Sequence, residues 1–477
     1  MRVCGSAASE QINLGMKRYI ANPVVTWRAR LTALFILLVL AGCGAGIGHG
    51  CILCGPFADN LRGSVSGLVG SRLTLQDNST PLAPLNGPAA NGSNVLFGIV
   101  NMNTSYNVTV KTQPTDPSQT CGVQNGMGTS GTSDVTNIVV TCTTNPPRFV
   151  YVTNGGSNNV SAYAVDAASG ALAAIAGSPF AVGKLPVAVA VDPTGSNVYV
   201  INQTDANISA FTVNRTSGAL TAVNGSPFPT GPAPTSVAID PSGSFVYVTS
   251  GNAATVAAYS ISASGALTAI PGSSQFTTGA SPSSVTVAPL DNNVYVGNQA
   301  DGTVSVFGIG GSGGLVVVSG SPFAAGTGPR AVTADPSGQY VYVANATSNT
   351  LSGYSTIPGP LTPLSGSPYT TGSSPNSVAV DPLAKFVYVA NKGSNSISAY
   401  VLGVGGTLTG VAGSPFAAGS EPVAVAVDPT DRFVCVANAS AGNVSVFAIN
   451  TATGALSALS GSPYAAGSQP SAIAISD

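Results

Sequence analysis

Any chemistry in this chain must be built from very few residues. Glu421 is the only glutamate after Glu10, so it is the best single candidate for a base that activates water. Arg330 is the best candidate for contacting an anion or an oxyanion. Lys184 and Asn376 are further polar candidates for binding a ligand. Lys184 and Glu421 lie inside segments of the form Gly-x-x-Pro, and Arg330 and Asn376 directly follow the proline of such a segment. The plainer alternative is that Glu421 and Arg330 are solvated residues joined at most in a weak ion pair. The single histidine, His49, lies far upstream of all four, so histidine catalysis and a histidine-rich metal site are both hard to build. No metal and no cofactor are expected. Cys51-Ile-Leu-Cys54 beside His49 has the outline of a metal or redox pair, but a second ligand pair is missing. A local disulfide or an incidental pair is the simpler reading.

These residues sit in a unit written seven times. Val-Tyr-Val-x-Asn carries its aromatic at Tyr151, Tyr199, Tyr247, Tyr295, Tyr342 and Tyr388, and Cys435 fills the seventh slot. Three other markers keep step at intervals of 46 to 48 residues. A strand pattern ends at Tyr163, Phe211, Tyr259, Phe307, Tyr354, Tyr400 and Phe447. A turn leads to Leu172 and its six counterparts, and Gly-x-x-Pro recurs up to Pro470. Asp192-Pro193-Thr194-Gly195 and its sisters place Pro and Gly where a type I turn wants them. Each unit therefore predicts four short strands of alternating pattern. Four strands in such a span make a propeller blade, and seven copies predict a seven-bladed all-β propeller over 147–477. The repeat begins on a second strand at Phe149 and stops after an unpartnered first strand, Ser471–Ile475. Joining the two would close the ring and hide its edges.

Composition agrees with that reading. Only 7% of residues are charged, against about 25% in ordinary soluble proteins, and Gly and Pro are abundant. Binding of nucleic acid through basic patches is excluded, and a monomer is expected. Ahead of the repeat, residues 61–146 hold short alternating runs such as Leu73–Leu75 and Tyr106–Val110, which predict a small antiparallel β-sandwich. A disulfide between Cys121 and Cys142 would tie its last two strands. At the amino end, Arg28 and Arg30 precede the apolar run Leu31–Leu40, too short to span a bilayer and laid out like a secretory signal. Residues 43–60 read as a flexible tether.

Three features resemble known families. Leu40-Ala41-Gly42-Cys43 resembles the bacterial lipoprotein box, which implies that residues 1–42 are removed and Cys43 carries a lipid anchor, placing the exported chain on a cell-envelope membrane. The run from Val150 to Ser161 resembles the "YVTN" repeat of surface propellers. The combination of Gly-x-x-Pro, Val-Asp-Pro-x-Gly and Val-Tyr-Val-x-Asn is similar to the seven-bladed lactonase family, which includes propeller-type 6-phosphogluconolactonases. That likeness implies a site at the mouth of the central channel. The family typically carries Pro-Arg-His there, whereas this chain has Pro329-Arg330-Ala331. The sequence reading therefore favours an envelope lipoprotein whose propeller binds a protein or glycan partner at its mouth without catalysis. The alternative is a lactonase-type hydrolase using Glu421 and Arg330.

Overall fold

The structure, a computed structural model, describes residues 58–68, 73–77, 83–84, 91–112, 119–144, 148–272, 276–289, 292–356 and 360–476. The leader, Cys43, most of the tether, and the pair Cys51 and Cys54 lie outside the described residues.

The first eight strands are β1 (Ala58–Ser66), β2 (Thr74–Asp77), β3 (Ala83–Pro84), β4 (Gly92–Asn101), β5 (Ser105–Thr112), β6 (Gln119–Gln124), β7 (Met127–Thr129) and β8 (Val135–Thr144). They form two sheets, in the orders β4-β1-β8-β6 and β3-β2-β5-β7. One apolar cluster draws on both: Leu61, Phe97, Ile138 and Val140 from the first, Leu75, Tyr106 and Val108 from the second. The pairing departs from an all-antiparallel expectation, because β1 and β8 run parallel. The long excursion between them lets the chain re-enter the first sheet in its starting direction, which a tight hairpin cannot do. Cys121 and Cys142 stand directly opposite on β6 and β8 and are bonded. These are not the last two strands, since β7 intervenes on the other sheet.

The remainder is a propeller of seven blades. The second blade is typical: Pro186–Val191 innermost, then Asn197–Asn202, Asn207–Val213 and Leu220–Ala222. A fifth, two-residue strand, Phe228–Pro229, pairs with the start of the third. The fifth strands begin on the aromatic of a Gly-Ser-Pro-aromatic segment in most units, with the Ser–Pro bond cis. The serine of that segment accepts the third strand's backbone N–H, as in Ala162 N–H to Ser178 Oγ at 2.9 Å.

The second strand of each blade departs from simple alternation. All six residues of Phe149–Asn154 are buried, because blades stack on both of its faces. Its tyrosine reaches the next blade: Tyr151 donates to the Gly218 carbonyl at 2.9 Å and Tyr199 to that of Gly265 at 3.0 Å. Gly218 sits at φ +73°, where a Cβ would lie 2.4 Å from the Phe149 ring, so only glycine lets the turn approach this closely. The asparagine that ends most of these strands, a residue type that favours turns, is buried and pins the hairpin. Asn391, for example, donates Nδ2–H to Ser398 Oγ at 2.9 Å.

The ring closes within the first blade. Pro470–Ile475 pairs antiparallel with Phe149–Asn154, and the two ends exchange bonds between Phe149 and Ser476. A buried ion pair clasps the first blade to the seventh: the Arg148 guanidinium donates to Asp428 and to Thr430 Oγ1. Burial lowers the Arg148 pKa, and the Arg432 charge lowers it further. Replacing Arg148 with Ala strands the Asp428 carboxylate and is expected to destabilise the propeller by about 3–5 kcal/mol, read from urea unfolding. An unchanged midpoint would remove the clasp from the account.

Candidate functional site

The Gly-x-x-Pro segments and the loops joining second to third strands lie at one end of the ring, because the first proline of each inner strand pairs with the last residue of the second. The Asp-Pro turns lie at the other end. The residue before each proline is left-handed in all seven units: Leu185, Ala233, Ser281, Gly328, Ser374, Glu421 and Gln469 have φ between 48° and 70°. Its carbonyl accepts a backbone N–H from the adjoining loop, as between Glu421 and Ala439 at 2.8 Å. The strained backbone at Glu421 is therefore architectural and recurs where no chemistry is possible.

A cleft of about 750 Å³ occupies this end of the channel, and Arg330, Asn376, Glu421, Lys392, Gln469 and Ser471 are among the residues that line it. Three of the four residues picked from sequence thus meet in one cavity. Lys184 does not line it; its side chain is exposed, and its neighbour Leu185 takes the lining position. Lys184 and Leu185 stand two and one places before their proline, whereas Arg330 and Asn376 follow theirs. The four residues therefore belong to three different positions of the repeat.

Arg330 is held by neutral partners. Its Nε–H donates to Asn376 Oδ1 and one Nη1–H to Gln299 Oε1, both at 3.3 Å. Asn376 is itself fixed, donating Nδ2–H to the Val423 carbonyl of the seventh blade at 2.6 Å. Two of the five guanidinium N–H groups are thus engaged, which leaves three to offer a ligand. The side chain touches channel solvent, yet the surrounding protein desolvates it enough to lower its pKa. Glu421 lies two blades away, with its Oε2 3.7 Å from Lys392 Nζ and both side chains about half exposed. Such a pair contributes little stability, but it positions the carboxylate. Among the described residues no group of three or more metal-ligating side chains occurs.

Lys392 and Gln299 were not singled out from sequence. Both follow the buried asparagine of a second strand, and comparing those loops across units would have exposed Lys392 as their only cation. At the slot where the family resemblance implies histidine, Ala331 has serine counterparts that stitch blades together. Ser284 Oγ accepts the Val332 N–H at 3.1 Å, and Ser377 Oγ the Val425 N–H at 3.2 Å.

A seven-bladed propeller with a polar mouth defines the class. The family profile Lactonase, 7-bladed beta-propeller, matches residues 109–239, 226–365 and 320–474, and the chain belongs to that family. No curated protein matches it. Among solved structures, it is similar to a candidate 6-phosphogluconolactonase of Bacteroides uniformis, with 17% identity and a TM-score of 0.61, covering 69% of this chain and 99% of that one. A second candidate 6-phosphogluconolactonase, from Bacteroides fragilis, gives 18% identity and 0.61 over 70% and 99%. The periplasmic gluconolactonase of Pseudomonas aeruginosa gives 18% and 0.58 over 70% and 99%. At these identities the likeness is one of fold.

Proposed function

We propose that the chain is a lactone hydrolase working at the propeller mouth. The observation that carries this reading is the convergence of Arg330, Asn376 and Glu421 on one cleft in a chain of the lactonase family. In this mechanism the lactone carbonyl oxygen takes the free N–H groups of Arg330. The Glu421 carboxylate accepts a proton from the attacking water, and the new C–O bond forms as the carbonyl oxygen becomes an oxyanion. Collapse breaks the ring C–O bond, and the proton held by Glu421 passes to the departing alkoxide. The product is one hydroxy acid, whose carboxylate remains matched to Arg330. Asn376 and Gln299 keep the guanidinium in place throughout, so the oxyanion meets a preorganised donor.

A second reading is a binding module that takes a protein or glycan partner at the same mouth without turnover. The Lys392 contact on Glu421 favours it, since it occupies the would-be base. In both readings the lipoprotein-like segment ending at Cys43 supports a lipid-anchored, exported chain.

The test is proton release from a panel of sugar lactones and simple lactones at constant pH, for the parent and for Glu421→Gln. The expected result is turnover that falls at least about 100-fold in the variant. Equal turnover in both removes Glu421 from the chemistry, and no turnover with retained ligand binding favours the module.

A further inference from the structure

The Asp-Pro turns at the far end of the ring share a bonding pattern that fails at one junction. In each described turn the aspartate's Oδ1 accepts backbone N–H groups, as from Lys385 and Phe386 to Asp381 at 2.6 Å each. The aspartate is also met by the hydroxyl two residues on: Ser242 on Asp240, Ser337 on Asp335 and Thr430 on Asp428. In the sixth blade that hydroxyl residue is replaced by Leu383, whose side chain is exposed. Asp381 Oδ2 is consequently buried with no donor. In the seventh blade the left-handed fourth position of the turn, glycine at Gly195, Gly243 and Gly338, is Asp431 at φ +57°. Asp431 is 2% exposed, and its Oδ1 also lacks a donor.

The two turns lie at the same end of adjacent, packed blades, and each holds a buried carboxyl oxygen with no donor. Asp381 acts on Asp431 through a side-chain hydrogen bond, which two carboxyl oxygens make only with a proton between them. We propose that Asp381 and Asp431 form a single-proton carboxyl pair across the junction of the sixth and seventh blades, so that this seam is tightest while the proton is held and loosens when it leaves. The Asn376–Val423 bond and the Lys392–Glu421 contact lie at the mouth end of the same seam.

The surroundings agree. Desolvation first, then the hydrogen bond and charge of Asp381, raise the Asp431 pKa from 3.8 to about 6, while Lys385 opposes the shift. Tyr388 stands over the pair, its own pKa pushed up by burial and by both carboxyls. Of the remaining nearby charges, Arg432 is committed to the Ala167 and Ala168 carbonyls, and Asp428 to Arg148. The folded pKa lies above the unfolded one, so the native state binds the extra proton. Stability is fully present below about pH 4, falls as pH rises towards 6, and levels off above it. A two-unit displacement corresponds to about a 100-fold smaller folding constant at neutral pH.

The experiment compares urea unfolding of the parent, Asp431→Asn and Leu383→Ser from pH 4 to 8. Asparagine tolerates the left-handed backbone and can donate to Asp381 without a titrating proton. Leu383→Ser restores the hydroxyl used by the sister turns. Both variants are expected to gain on the parent as pH rises, Asp431→Asn by about 100-fold in the folding constant at pH 7.5, with the gap closing near pH 4. Profiles that stay parallel across the range overturn the proposal. Should either variant fail to fold, side-chain carboxyl NMR of the parent decides. A titration near pH 6 supports the pair, and one below about 4.5 overturns it.

Discussion

A chain ending at Ser468 is expected not to form a stable propeller. The deletion removes Pro470–Ile475, which supplies the innermost strand of the first blade and pairs along Phe149–Asn154. That partner strand is wholly buried, so its backbone groups and the apolar faces of Val150 and Val152 would be laid open together. Ile473 and Ile475, packed against the same cluster as Phe433 and Val446, would go with it. Fully burying an aliphatic side chain is worth roughly 1.5–3 kcal/mol, and the two isoleucines, partly buried, contribute a part of that each. Together with the lost ladder of hydrogen bonds, and an exposed edge that invites pairing with other chains, the loss is large against the net stability of an ordinary domain, about 5–15 kcal/mol. The truncated chain should therefore appear as aggregate, or lose its cooperative melt, in circular dichroism and sedimentation. A truncated chain that melts at the parent's temperature would mean the ring is held without its seam.

Replacing Arg330 with Ala is expected to lower kcat/KM for lactone hydrolysis by about 10³-fold. In the proposed mechanism Arg330 is an oxyanion donor, whose loss costs about 10²–10³ in rate, and the same side chain would meet the product carboxylate. The fold should be untouched, because Arg330 is exposed to the channel and its partners Asn376 and Gln299 are not buried behind it. Lysine is a useful companion variant. It keeps the charge but loses the planar fork that meets Asn376 and Gln299 together, so it should recover only part of the rate. Full activity in Arg330→Lys would mean that charge alone matters and that the hydrogen-bonded positioning does not.

The architecture was legible because the same tyrosine, leucine and proline recur at nearly one spacing, with only Cys435 breaking the tyrosine row. Such a pattern has few three-dimensional solutions once the unpartnered end strands are noticed. What stayed hidden depends on neighbours that sequence spacing does not reveal. The asparagines that end most of the second strands are of a type that favours turns, yet blade stacking buries them and turns Asn391 and its sisters into pins. The parallel pairing of β1 with β8 follows from a path between two sheets, which local alternation cannot encode. At the mouth, polar type together with a place in or beside a Gly-x-x-Pro segment picked out Arg330, Asn376 and Glu421. The same criterion also selected Lys184, because it did not separate the position before the proline, which lines the cleft, from the one before that, and it passed over Lys392 and Gln299 on a different loop. Cys435 replaces a tyrosine and is buried with its thiol pushed up to about 12, in keeping with an inert core role.

The most direct measurement is a crystal structure of the full propeller grown with saturating D-gluconate, an aldonate of the kind lactone opening would release. The account predicts the carboxylate within hydrogen-bonding distance of the Arg330 guanidinium, with the hydroxyls turned towards Glu421 and Asn376. An aldonate bound on the face of the Asp-Pro turns, or a mouth left to solvent while the ligand sits elsewhere, would contradict it.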